Sequence, residues 1–272
     1  MSRRNKAEAW PALPEADCFG EAKRRALDMP AQMRGGIGTL RERSLHAVLK
    51  YWFQPDDACH EVRLGRYVAD IFDGRGVVEI QTRGLYALRS KLAALLQEWP
   101  VLVVLPLTRR KALSWIDPGS GEASAPRRSP KVGQPWEALP ELLSIRESLG
   151  HPGLAVAVVM LDMDEYRLLD GWGRDGKRGS HRAERIPTAV GETVLLRGAD
   201  DLRLLLPPGL PDPFTTADFE RSTRLSRKKT AQAIALLYKT EVILRVGKRG
   251  NAFLYSLYPD SPEEEQPTQL DR

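Results

Sequence analysis

The chain predicts an α/β fold, a mixed sheet with helices packed on it, followed by a small second module. Three observations carry that expectation. Between residues 37 and 107 helical and strand periodicities follow in the order helix, three strands, helix, strand, which only a sheet covered by helices accommodates economically. Residues 101–107 and 154–161 are continuous apolar runs, the pattern of strands buried on both faces. A proline-dense stretch at 207–213 then precedes a helix, helix, hairpin pattern.

Each element has a local reason. Residues 1–36 are charged and proline-interrupted and read as an N-terminal arm with one short helix near 19–27. Ile37, Leu40, Ser44, Leu45, Val48, Leu49, Trp52 and Phe53 recur at helical spacing until Pro55 ends the run. A short strand at 61–64 leads into a hairpin over 66–81. Leu85, Leu88, Leu92, Leu95, Leu96 and Trp99 mark a second helix, which Pro100 stops before the strand at 101–107. Residues 108–206 extend this core: an extra strand at 112–116, a basic loop at 119–131, a short helix at 136–148 and the buried strand at 154–161. A flexible basic segment without apolar periodicity follows at 171–182, then short structured pieces at 193–196 and 202–206. After the linker at 207–213, Thr216 is the expected N-cap of a short helix and a second helix starts near Ser226. A terminal hairpin turns at Gly247-Lys-Arg-Gly250, closing a module over 214–258, and 259–272 reads as an acidic disordered tail with Glu263, Glu264 and Glu265.

Composition narrows the classes. The chain has 272 residues, 28% charged and 42% hydrophobic, which suits a soluble globular protein, and its net charge of +5 leans towards a polyanionic partner. Cys18 and Cys59 lack metal-site spacing and read as free thiols in a reducing cytoplasm. No signal-peptide core and no run of transmembrane length is found, so the expectation is a cytoplasmic protein with no membrane partner.

The hairpin carries the chemistry. Val68, Asp70 and Phe72 alternate with Tyr67, Ala69 and Ile71, and Val77, Glu79 and Gln81 alternate with Val78 and Ile80. A two-residue turn at Gly74-Arg75 places Phe72 opposite Val77, Asp70 opposite Glu79 and Val68 opposite Gln81. Opposed side chains sit about 5 Å apart, and at an effective dielectric of about 20 two carboxylates so placed repel by roughly 3 kcal/mol. The same face holds Val68, Phe72 and Val77 but no Lys or Arg between the acids, so the pattern asks for a cation. The competing reading is a solvated acid pair or a shifted register.

Residues 37–107 resemble the core of the PD-(D/E)XK nuclease superfamily, a restriction-endonuclease-like fold. Asp70 matches its second-strand acid, and Glu79-Ile-Gln81 stands where a Glu-x-Lys is usual. The resemblance implies that Asp70 and Glu79, with the Ile80 carbonyl, hold Mg²⁺ (or Mn²⁺) and that Gln81 orients the nucleophile. It also implies an acid on the first helix, for which Glu42 is the candidate, with His46 one turn on. Gln81 supplies no positive charge where the family has its lysine. Arg83 is a candidate substitute, and Glu61 on the first strand a candidate extra ligand.

The module at 214–258 resembles winged-helix DNA-binding domains in element order. It carries nine Lys or Arg against three acids, a net charge of +6. Arg227, Lys228 and Lys229 open the second helix, where a helix N-terminus favours phosphate, and Lys248 and Arg249 stand at the wing tip. Arg174, Lys177 and Arg178 in the basic loop are candidate backbone clamps, with a merely solvated loop the alternative. Asp162, Asp164 and Glu165 read as a solvated turn at a strand end. The expectation is therefore a metal-dependent deoxyribonuclease with DNA as partner, its oligomeric state open between monomer and homodimer. The alternative is a nuclease-derived DNA-binding or regulatory protein without turnover.

Overall fold

A computed structural model describes residues 13–28, 43–82, 84–172 and 178–259. Helix α1 (Phe19–Asp28) and helix α2 (Arg43–Phe53) precede β1 (His60–Leu64), β2 (Tyr67–Phe72) and β3 (Val77–Ile80). A 3₁₀ turn (Leu85–Leu88) runs into α3 (Arg89–Leu95), and β4 (Val101–Ile116) follows, paired at its far end with the two-residue β5 (Arg127–Arg128). The short α4 (Leu139–Leu142), flanked by 3₁₀ turns, leads to β6 (Leu154–Trp172) and β7 (Arg178–Leu196). The seven-stranded mixed sheet has the order β1-β2-β3-β4-β6-β7, with β5 on β4. Strands β3, β4 and β6 run parallel, while β1–β2, β2–β3 and β6–β7 are antiparallel.

The apolar runs are explained by burial on both faces of the sheet. Leu102, Val104, Ala157, Val159 and Leu161 pack under α1 and α2, against Phe19, Leu45, Leu49 and Trp52. Val101, Val103, Leu105, Val156 and Val158 belong to the opposite cluster, with Leu88, Leu92 and Leu95 along the second helical stretch. Consecutive residues of β4 thus enter different cores, which is why the strand shows no polar alternation.

Three expectations for 108–206 are corrected. The strand expected at 112–116 is the continuation of β4, past a register shift between Thr108 and Arg110. Of the basic segment expected to be flexible, 178–182 begins the 19-residue strand β7, and Asp162, Asp164 and Glu165 lie inside β6 rather than in a turn. These strand halves are joined by charge. Arg109 bonds Asp162 through two nitrogens at 2.8 and 2.7 Å, and Lys111 and Arg167 reach the buried Glu165 at 2.9 and 2.7 Å. Burial pushes the Glu165 carboxyl up, but those two cations outweigh it and hold it below the usual range.

The chain ends in β8 (Phe214–Thr215), α5 (Thr216–Thr223), α6 (Arg227–Lys239), β9 (Ile243–Arg249) and β10 (Ala252–Leu257), with a small sheet ordered β8-β10-β9. The N-cap of α5 is Thr215, not Thr216: its side chain accepts from the Asp218 N–H while Asp218 accepts from the Thr215 N–H, a capping box. Phe214, Phe219, Leu225, Leu236 and Leu237 lie in the same buried cluster as Leu139, Leu142 and the α3 face of the large sheet. Trp136 Nε1 donates to the Thr223 carbonyl at 3.1 Å across that contact. Among the described residues no helix is long and apolar enough to cross a membrane. The tail at 260–272 and most of the arm lie outside the described residues.

Candidate functional site

The β2–β3 ladder pairs Phe72 with Val77 and Ile71 with Val78, as the turn predicts, and ends there, with Asp70 and Glu79 the next residues along the two strands. There the ladder changes character. Instead of exchanging backbone bonds, each acid reaches the other strand: Asp70 Oδ2 accepts from the Ile80 N–H at 2.7 Å and Glu79 Oε1 from the Asp70 N–H at 3.4 Å. On the other side of Asp70, β1 pairs His60 with Ile71 and Val62 with Ala69, and between them Glu61 takes a left-handed backbone, φ 52°. Ala69 packs into the α3-side cluster and Ile71 into the α1–α2 cluster, so the two-residue alternation breaks at Asp70.

Two nitrogen-bearing side chains from the helices, a lysine and a histidine, complete the group. Lys91 on α3 places Nζ 2.5 Å from Glu79 Oε2, and His46 on α2 places Nε2 3.2 Å from Asp70 Oδ2. The acid pair is therefore met from both helical layers. Lys50 at 2.7 Å neutralises Glu61 beside it. Lys91 lies on the edge of the Leu88, Leu92, Leu95 stripe, and a lone lysine there is the sequence signal for a counter-charge beneath the helix.

The electrostatics separate the two carboxyls. Burial, and then the charge of Asp70, push Glu79 up to about 7, against the lowering effect of Lys91. Burial also raises Asp70, but His46, the Ile80 N–H and Lys91 together outweigh it and hold Asp70 below its ordinary value. Glu79 is 2% exposed, whereas the Asp70 side chain keeps 22%. An acid held ionised near solvent stands beside an acid poised near neutrality.

The other expected residues are distributed as follows. Gln81 lies just past β3; its N–H donates to the Val104 carbonyl at 2.9 Å and its amide nitrogen to the Gly84 carbonyl at 3.4 Å. Ile80 keeps its side chain in the α1–α2 core, leaving its backbone beside Asp70. Glu42, Arg83, Arg174 and Lys177 lie outside the described residues, and Arg178 opens β7. Arg227, Lys228 and Lys229 are exposed on the first turn of α6, and Lys248 and Arg249 are exposed at the end of β9, Arg249 3.4 Å from Asp218. Among the described residues no three His, Cys, Asp or Glu side chains gather as a metal cage.

Comparison with known proteins finds a matching family and a relative. Residues 43–197, which contain both acids, His46 and Lys91, match the family described as "Domain of unknown function (DUF8091)". A relative from Treponema pallidum (strain Nichols), described as "Uncharacterized protein", is 28% identical over 232 residues, covering 85% of this chain and 91% of its own. No solved structure matches the chain.

Proposed function

The chain belongs to the family described as "Domain of unknown function (DUF8091)", and for this member of it we propose a metal-dependent nuclease that hydrolyses DNA phosphodiester bonds, with the C-terminal module binding the DNA. The carrying observation is the convergence of Asp70, Glu79 and Lys91 at one point of the sheet. The donor set fits Mg²⁺, which binds oxygen ligands, keeps several waters and commonly uses only one or two carboxylates. Asp70 and Glu79 would hold it, with the Ile80 carbonyl as third oxygen, and when bound it would supply a water of lowered pKa and neutralise phosphate charge. Burial and the charge of Asp70 oppose ionisation of Glu79, and positive charge beside it relieves both.

The protein groups divide the remaining work. His46 keeps Asp70 ionised and oriented. Lys91 brings the ammonium that Gln81 does not, and swinging from Glu79 to a phosphate oxygen stabilises the charge that grows there. The exposed cations of α6 and β9 hold the DNA backbone. The alternative, a nuclease-derived DNA-binding protein without turnover, is favoured by one observation: His46 and Lys91 already give each acid a side-chain partner within the protein.

Plasmid, linear and branched DNA incubated with the full chain and Mg²⁺ or Mn²⁺ decides between them. We expect cleavage that is abolished by Asp70→Asn with Glu79→Gln and lowered about a hundredfold or more by Lys91→Met. Cleavage that survives the double substitution refutes the site. DNA bound with a steep salt dependence but never cut selects the alternative.

A further inference from the structure

We propose that the aromatic and cationic strip of the β9–β10 hairpin is a stacking platform for an unpaired strand of DNA. This deepens the DNA-binding reading above and rests on it. Phe253 stands directly opposite Lys248 in the ladder, with the lysine Nζ 5.2 Å from the ring centroid. The Arg245 guanidinium lies 4.1 Å from the Phe253 centroid and 4.6 Å from that of Tyr238 on α6. Both rings remain substantially open to water, Phe253 at 40% and Tyr238 at 41% exposure. The register shift between Leu254 and Tyr255 leaves Val246 unpaired and 51% exposed beside them.

Charge accounting separates this strip from an ordinary surface. Arg249 is met by Asp218, but among the described residues neither Arg245 nor Lys248 has a carboxylate partner. Two cations without a carboxylate partner among the described residues, set against open rings, suit a ligand that is anionic and flat at once. Arg245 is itself exposed, and the open part of the Phe253 ring beside it offers a face to a further planar group. A duplex hides its base faces and offers only phosphates, whereas an unpaired strand presents bases for Arg245 and Phe253 and phosphates for Lys248. The lesser reading, that Arg245 merely staples the hairpin to α6, needs no open ring and makes no demand on nucleic acid.

The test measures fluorescence anisotropy of the full chain with labelled oligothymidine, a duplex of equal length and the corresponding RNA, all in EDTA so that nothing is cut. Wild type should bind the single strand more tightly than the duplex. Phe253→Leu, which keeps apolar bulk but removes the π face, should weaken single-strand binding about five- to a hundredfold and leave duplex binding nearly unchanged. Lys248→Ala should lower both affinities and reduce the salt slope by about one. Should Phe253→Leu fail to fold, Arg245→Lys keeps the charge, loses the flat fork and should show the same selective loss. Equal single-strand affinity for wild type and variant, duplex bound as tightly as single strand, or tighter binding of RNA each overturns the inference. Where DNA is still bound and cut, only the platform falls; where no DNA binds, the nuclease reading falls with it.

Discussion

Replacing Glu79 by Gln should erase a specific part of the pH dependence of stability. Glu79 is held at about 7 in the folded chain against an ordinary 4.5, mainly because it is buried and secondly because Asp70 is charged. Below pH 4.5 both folded and unfolded chains carry the proton, and the folded state has its full relative stability. Between 4.5 and about 7 the unfolded chain releases the proton while the folded chain keeps it, so raising pH favours unfolding. Above about 7 the folded carboxyl ionises too and the loss levels off. Each pH unit is worth about 1.4 kcal/mol, so the whole window costs about 3 kcal/mol. The Gln side chain keeps the shape and removes the titration. Urea-unfolding curves of wild type and Glu79→Gln, taken across this window without divalent metal, should therefore show the wild type losing about 3 kcal/mol relative to the variant. A constant difference across the window, or one moving the other way, refutes the assignment of a neutral, buried Glu79.

Two further outcomes follow from the same charges. At about pH 6, a unit below the value of about 7 at which Glu79 ionises, Mg²⁺ must displace its proton, so calorimetric titration in buffers of different ionisation enthalpy should register about one proton released per bound ion. Glu79→Gln should remove both the release and the affinity; heat signals indistinguishable from wild type would place the ion elsewhere. Glu165→Gln should destabilise the chain by about 2–3 kcal/mol in urea unfolding, somewhat less than the usual cost of breaking a buried pair, because Lys111 and Arg167 keep access to solvent. A change within about 0.5 kcal/mol, the range of ordinary surface substitutions, would show that the network adds nothing.

What the sequence made legible was whatever its own periodicity determined. The Asp70–Glu79 row follows from period two and a turn with Gly74 at φ 83°, both local. Strands buried on two faces announced themselves as apolar runs. Lys91 did not, because it reaches the row from a separate helix and only its place beside the Leu88–Leu95 stripe hinted at it; His46, one turn past Glu42, was legible as a candidate, but not that its partner is Asp70. Strand β7 stayed hidden because its first half pairs by charge, with Glu184 bonded to Ser44 and Arg182 near Glu165, so hydrophobic alternation had nothing to report. The α5 cap was readable and misassigned by one: the Thr215-x-x-Asp218 spacing selects Thr215.

The buried cluster that runs from α3 through α4 into α6 has a consequence for how the chain can change. Expressing the part after Pro213 alone would not give a free-standing module; it would leave Leu139 and Leu142 uncovered on one side and Leu236 and Leu237 on the other. The two ends cannot be traded piecemeal between relatives, since each is the other's wall. Packing also fixes the span between the β9–β10 hairpin and the acid row, as the jaws of a caliper are fixed by their bar. Under the proposed function, a DNA strand held on the hairpin would meet the acid row at a set distance, whatever its sequence.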